Sequence, residues 1–307
     1  ERDALTAQVP QMLDWCERAV ELAATLHAQA PELYGHFGAI RSGWMSLVGP
    51  GGAMELYDGP LRVRDVQGTL LHDGVPVHNY LDLIEEAVEP WTYMKFPYLR
   101  AQGREAGWYR VGPLARVNNC SHIPSPRAEA QRQRFVAHGP VQGTLAYHWA
   151  RMIEMLHATE VIAELLQDEA LLGGPLTAPL PAERPTQRSG VGVIEAPRGT
   201  LIHHYEIGDD DLIRWCNLIV STTHNNHAMN ASVRAVAQEY FDGRSITEGL
   251  LNRMEVAVRA YDPCLSCATH ALGSMPLQVQ LVDAAGQVRD SVLRHGDGRI
   301  ERKDSHT

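Results

Sequence analysis

Four stretches of this chain place apolar residues at helical spacing, and the segments between them are cut by glycine and proline into short alternating runs. The first stretch, ERDALTAQVPQMLDWCERAVELAATLHAQA, covers residues 1–30. The others run to about Leu166, from His227 to Tyr240 and from Ile246 to Ala260. A shorter helix is expected over 128–138, ended by Gly139-Pro140, and NYLDLIEEAVEP (79–90) reads as helical up to Pro90. Asp-Gly turns between alternating runs predict small β-hairpins around 53–79. VGVIEAPRGTLIHHYEI reads as two strands hinged at Pro197-Arg198-Gly199, and PLQVQLVDAAGQVRDSVLRH as a hairpin about its Ala-Ala-Gly turn. The Pro- and Gly-rich 173–190 reads as a loop, and the polar last ten residues as loose. The expected class is mainly α with small β-hairpins, an α+β fold with long central helices.

The net charge is −10, which argues against a nucleic-acid partner, since phosphate binding calls for a basic face. No run approaches ~18 uninterrupted apolar residues, so no membrane span is expected. The chain opens ERDAL, with neither Met nor a signal-type apolar region, which reads as a cytoplasmic protein whose true N-terminus lies upstream.

The five cysteines are Cys16, Cys120, Cys216, Cys264 and Cys267, an odd count with one close pair, unlike a disulfide framework. Cys16 and Cys216 read as small buried hydrophobes, and Cys120 as a loop residue. The pair in YDPCLSCATHALG (261–273) can clasp a soft metal or act as a redox couple. A redox pair would open a helix after a strand, whereas this one follows a helix and an Asp-Pro. A structural zinc site would need a second close Cys/His pair, and His203-His204 and His224/His227 lack that spacing. Spacing alone therefore favours a metal site without naming the metal.

The same residues, DPCLSCATH, resemble the C-terminal signature of the large subunit of nickel–iron hydrogenases, Asp-Pro-Cys-x-x-Cys-x-x-His. EAPRG (195–199) and LIVSTTHNN (218–226) match further segments of that family. EPWTYMKFPYLR (89–100) and YRVGPLARVN (109–118) are similar to its cytosolic bidirectional, NAD-reducing group. The likeness extends over essentially all of 1–270. It implies the large-subunit fold and a nickel–iron centre whose iron carries cyanide and carbon monoxide. Cys264 would be a terminal nickel thiolate, and Cys267 would bridge nickel and iron. Arg198 would stand over the metals, with Pro197 and Asp262 in its shell and Asp262 orienting it. Thr222 would supply a hydroxyl near a cyanide, Leu218 a main-chain carbonyl to Mg2+, and His270 would lie beside that ion as the mature C-terminus.

The resemblance also implies a second Cys-x-x-Cys upstream, together with a proton-relaying glutamate. No Arg-x-Cys-Gly-x-Cys occurs here, so a sizeable N-terminal segment is expected to be missing and the fragment alone inactive. The 37 residues after His270 would be an extension (271–307) cut off after nickel insertion by a maturation endopeptidase, following the work of nickel-insertion proteins. Dihydrogen would split heterolytically at the metals. Arginine's high pKa makes Arg198 a poor base and a better electrostatic guide. Electrons would leave through a small iron–sulfur subunit to diaphorase subunits carrying FMN and NAD. This chain has too few cysteines for a cubane cluster beside the nickel site, and GPGG (49–52) is no dinucleotide fingerprint. The alternatives are a large subunit serving a deazaflavin or NADP acceptor, a non-catalytic relative like a complex I subunit, which would have lost the cysteines, and a zinc-binding interaction protein.

Overall fold

In a computed structural model, residues 1–175, 177, 187–264 and 276–303 are described. The helical layer begins with α1 (Arg2–Gln29) and α2 (Pro31–His36). On α1 the buried residues are Val9, Cys16, Val20 and Ala24, whose spacings of seven and four keep them on one face. That face lies on the long helix carrying Thr159, whose hydroxyl is 3.3 Å from the Cys16 sulfur. Leu22, on another face of the helix, is exposed.

A four-stranded sheet follows, in the order β3-β2-β1-β6. It is built from β1 (Gly43–Leu47), β2 (Leu61–Arg64), β3 (Leu70–Val75) and β6 (Tyr109–Arg110). The β2–β3 pair is a hairpin within the region expected to hold one. Between β3 and β6 the chain forms α3 (Tyr80–Leu83), a second hairpin of β4 (Ile84–Glu89) and β5 (Thr92–Leu99), and α4 (Gly103–Ala106). Here the expected helix over 79–90 is corrected. Only its first turn is helical, and IEEAVE pairs with TYMKFPYL, setting Ala87 opposite Phe96 and Glu85 opposite Tyr98. Aromatic and β-branched partners across the ladder outweigh the helical propensity of Glu and Ala, which tertiary context readily overrides.

The helices α5 (Pro113–Asn119), α6 (Pro126–Phe135) and α7 (Ala146–Leu165) come next. A second antiparallel sheet then follows, with β7 (Ser189–Ala196), β8 (Gly199–Ile207) and β9 (Ile213–Ile219) in that order. β7 and β8 join at the expected Pro-Arg-Gly hinge, whereas β9 was not foreseen. Cys216 on β9 is exposed, not buried, while Cys16 and Cys120 are buried. Of the 173–190 loop, residues 176 and 178–186 lie outside the described residues.

The chain continues through α8 (Ser221–His224), α9 (Asn226–Tyr240) and α10 (Glu248–Ala260), which Thr247 caps by accepting the Leu250 N–H. It closes with a third sheet of β10 (Leu277–Val282), β11 (Val288–Arg294) and β12 (Ile300–Lys303). The hairpin about Ala-Ala-Gly is present, but Ile300–Lys303 is not loose, because it extends the sheet by pairing with β11.

Two apolar cores define the layers. One joins the helices through Val20, Leu114, Val117, Tyr147, Ile153, Val236 and Tyr261. The other joins the first two sheets through Met45, Leu61, Tyr109, Val111, Ile202 and Ile219. α5 lies where the two meet, and almost all of it is buried, including the charged Arg116. Among the described residues no helix is long and apolar enough to cross a membrane.

Candidate functional site

The site grows from the turn between β7 and β8. Ala196 pairs with Gly199, which leaves Pro197 and Arg198 as a two-residue connection. The turn is pressed onto the backbone after β6. A Cβ on Gly112 would come within 2.7 Å of the Arg198 carbonyl oxygen, and one on Gly199 within 2.3 Å of Val111 Cγ2. Gly112 has φ +91° and Gly199 φ +140°, so glycine is needed at both for conformation as well as space.

From its other side the turn meets the segment that leaves α10. Asp262 adopts φ +50°, a left-handed conformation that aspartate tolerates better than most residues. This bend presents its carbonyl oxygen to the Arg198 Nε–H at 2.7 Å and its carboxylate Oδ2 at 3.6 Å from the same nitrogen. Both side chains are about half exposed, at 40% and 44%, so the ion pair itself adds little and the hydrogen bond does the orienting. Two residues on, the Cys264 N–H donates to the Thr222 hydroxyl at 3.0 Å. Thr222 is buried at the start of α8. The structure thus brings Pro197, Arg198, Thr222, Asp262 and Cys264 together. Leu218 lies on β9, paired with His203 of β8. Cys267 and His270 lie outside the described residues.

Beneath the turn sits a charged group that sequence reasoning missed. Arg116 donates to both oxygens of Glu154 at 2.5 and 2.6 Å and to Glu195 Oε2 at 2.7 Å. The side chains are 2%, 10% and 0% exposed in that order. Burial alone would lower the Arg116 pKa, but Glu154 and then Glu195 outweigh it and hold the guanidinium firmly protonated. Burial pushes the Glu195 carboxyl up, opposed by Arg116, Thr200 and the Leu47 N–H. One signal was available: an arginine in the otherwise apolar GPLARV (112–117).

A second buried polar contact stands behind Thr222. The Tyr109 hydroxyl lies 2.7 Å from His224 Nδ1, while His224 Nε2 is sealed from solvent without a hydrogen-bond partner in the structure. Burial drops the His224 pKa from 6.5 to about 3. The folded protein therefore keeps this ring neutral, whereas the unfolded chain takes up a proton below pH 6.5. Stability must fall as pH drops from there toward 3, by about 1.4 kcal/mol per pH unit for one such site. His224→Gln is expected to flatten that slope by about one proton, roughly 1.4 kcal/mol per pH unit, in urea unfolding measured between pH 5.5 and 4.

Among the described residues no three His, Cys, Asp or Glu side chains converge as a metal-binding group. What is present fits part of a soft-metal centre: a sulfur whose backbone is pinned by Thr222, next to a turn carrying a permanent cation.

The nickel-dependent hydrogenase family model matches residues 65–270, and the chain belongs to that family. It is 45% identical over 292 residues to the NAD-reducing hydrogenase HoxS subunit beta of Cupriavidus necator, covering 93% of this chain and 59% of that one. It is 38% identical to a component of the F420-non-reducing hydrogenase of Methanothermobacter thermautotrophicus, over 88% of this chain and 57% of that relative. The crystal structure of an NAD+-reducing [NiFe]-hydrogenase in the H2-reduced state superposes with a TM-score of 0.82 at 52% identity, covering 88% of this chain and 59% of that chain. The nickel–iron–selenium hydrogenase of Dm. baculatum shares the fold, with a TM-score of 0.59 at 19% identity. The chain spans about three fifths of the length of these relatives.

Proposed function

We propose that this chain belongs to the large subunit of an NAD-reducing [NiFe] hydrogenase, and that Cys264 and Cys267 supply half of the thiolates for its nickel–iron centre. The observation that carries the reading is the 45% identity to an NAD-reducing hydrogenase subunit across 93% of the chain. When bound, the centre with its cyanide and carbon monoxide ligands supplies the place where dihydrogen binds and splits heterolytically. The protein's part is positional. Asp262 holds the Arg198 guanidinium on a turn that cannot shift without breaking glycine contacts. Arg198 acts as an electrostatic guide rather than as a base. Thr222 fixes the backbone from which the Cys264 sulfur projects.

In this reading electrons pass to a small iron–sulfur subunit, then to diaphorase subunits that carry FMN and reduce NAD, in the cytoplasm. His270 and the Leu218 carbonyl border a Mg2+ ion. A maturation endopeptidase, acting after nickel-insertion proteins, removes 271–307, and intact mass of the mature subunit tests that cut. The 38% identity to an F420-non-reducing hydrogenase supports a second reading, the same centre serving another acceptor. The test is metal analysis and H2-driven NAD+ reduction on the full-length subunit purified with its partners. About one nickel per subunit with NAD+ reduction is expected; zinc without nickel overturns the proposal, and nickel with another acceptor selects the second reading.

A further inference from the structure

We infer that Arg116 is a positioning residue whose hydrogen bonds to the backbone of the β7–β8 turn set where Arg198 points. The inference rests on the reading of Arg198 given above, but it concerns how this chain holds that side chain, with or without metal.

A guanidinium has five N–H donors. Each of the five has an acceptor here. Nε and one Nη2 proton go to Glu154, and one Nη1 proton goes to Glu195. The remaining two go to the carbonyl oxygens of Ala196 at 2.9 Å and Pro197 at 3.2 Å. Balancing charge would need only the carboxylates. The two carbonyls belong to the residues directly before Arg198, so the fork grips the turn itself.

The remaining contacts make that grip decisive. Glu195 is tied to β1 through the Leu47 N–H at 3.0 Å and to β8 through the Thr200 hydroxyl at 2.7 Å. Glu154 stands on α7, in the helical core. Arg116 therefore connects the helical layer, the first sheet and the second sheet at one point, directly behind the turn. Gly112 and Gly199 close the turn's other side. A lysine at 116 would keep the charge but has three donors on one nitrogen, and cannot serve two carboxylates and two divergent carbonyls together.

The test reads the hydrogen bond from Arg198 Nε–H to the Asp262 carbonyl, by NMR measurement of its hydrogen-exchange rate in the metal-free chain. The internal reference is Arg110 Nε–H, which donates to the Ser42 hydroxyl at 2.7 Å. In Arg116→Lys, Arg198 exchange is expected to rise by about tenfold or more while Arg110 stays within about twofold, as for loss of one well-aligned charge-assisted hydrogen bond. The double variant Arg116→Met/Glu154→Gln removes two of the three buried charges and so spares the fold an unpaired carboxylate at 154, while Glu195 keeps its hydrogen bonds from the Leu47 N–H and the Thr200 hydroxyl. It should give the same selective acceleration. In the holoenzyme both variants should lower kcat about 10- to 100-fold with the KM for H2 within about threefold, the pattern of a contact that matters only in the transition state. Unchanged Arg198 exchange in both variants overturns the inference. So does equal acceleration at Arg198 and Arg110, which would make Arg116 a residue of general stability. Because exchange is read without metal, this result stands apart from whether the complete protein binds nickel.

Discussion

Cys264→Ser in the full-length subunit should lower nickel affinity by at least about 100-fold, since even outer-shell partners of a metal ligand are worth about 10–100-fold. The cause is chemical. A thiolate is a soft donor that forms readily near neutral pH, whereas a serine hydroxyl stays protonated and hard. Folding should be nearly untouched, because Cys264 is only partly buried and its backbone bond to Thr222 survives the exchange. Nickel content by elemental analysis, compared with the urea midpoint of the same preparation, separates the two effects. Full nickel retention by a stable variant would remove Cys264 from the centre.

Gly199→Ala should destabilise the protein by about 3 kcal/mol, combining overpacking of about 1–3 kcal/mol with backbone strain of about 1–2 kcal/mol. Its new methyl would stand 2.3 Å from Val111 Cγ2 and 2.9 Å from the Gly112 nitrogen, at φ +140°. Neither Val111 nor the turn can yield, since the Val111 N–H is held by Asn225 at 3.0 Å and its carbonyl by Tyr147 at 2.9 Å. Gly190, on the same hairpin, has nothing within 4 Å of its would-be Cβ. Gly190→Ala is therefore the matched control, expected to lie within about 1 kcal/mol of the parent. Chemical denaturation of the two variants side by side checks the contrast.

The long helices were legible because each carries its own period. α1, α7, α9 and α10 hide one face, and 3.6-residue spacing writes that face into the sequence. The β7–β8 hinge was legible because Pro-Arg-Gly interrupts two alternating runs. What escaped depends on partners far away in the chain. IEEAVE looks helical until TYMKFPYL lies beside it, and Ile300–Lys303 looks polar and loose until β11 offers a ladder. Arg116 meets carboxylates 38 and 79 residues further on, a relation no local period encodes. Likewise Arg198 finds Asp262 at a separation of 64, and Cys264 finds Thr222 at 42. Those residues were assembled through family resemblance, not through spacing.

The terminal sheet also bears on the segment that carries Cys264. Val292 of β11 packs with Ile246 and Leu251, at the foot of α10. Asp290 and Arg302 tie the backbone of Ile246 from both sides, and Arg294 grips Glu255 midway along the helix. The other end of that same helix delivers Tyr261, Asp262 and Cys264. The tail thus works as a brace on a lever: while it stays clamped to the base of α10, the tip bearing the sulfur has a fixed fulcrum, and severing the tail would free the lever at its base.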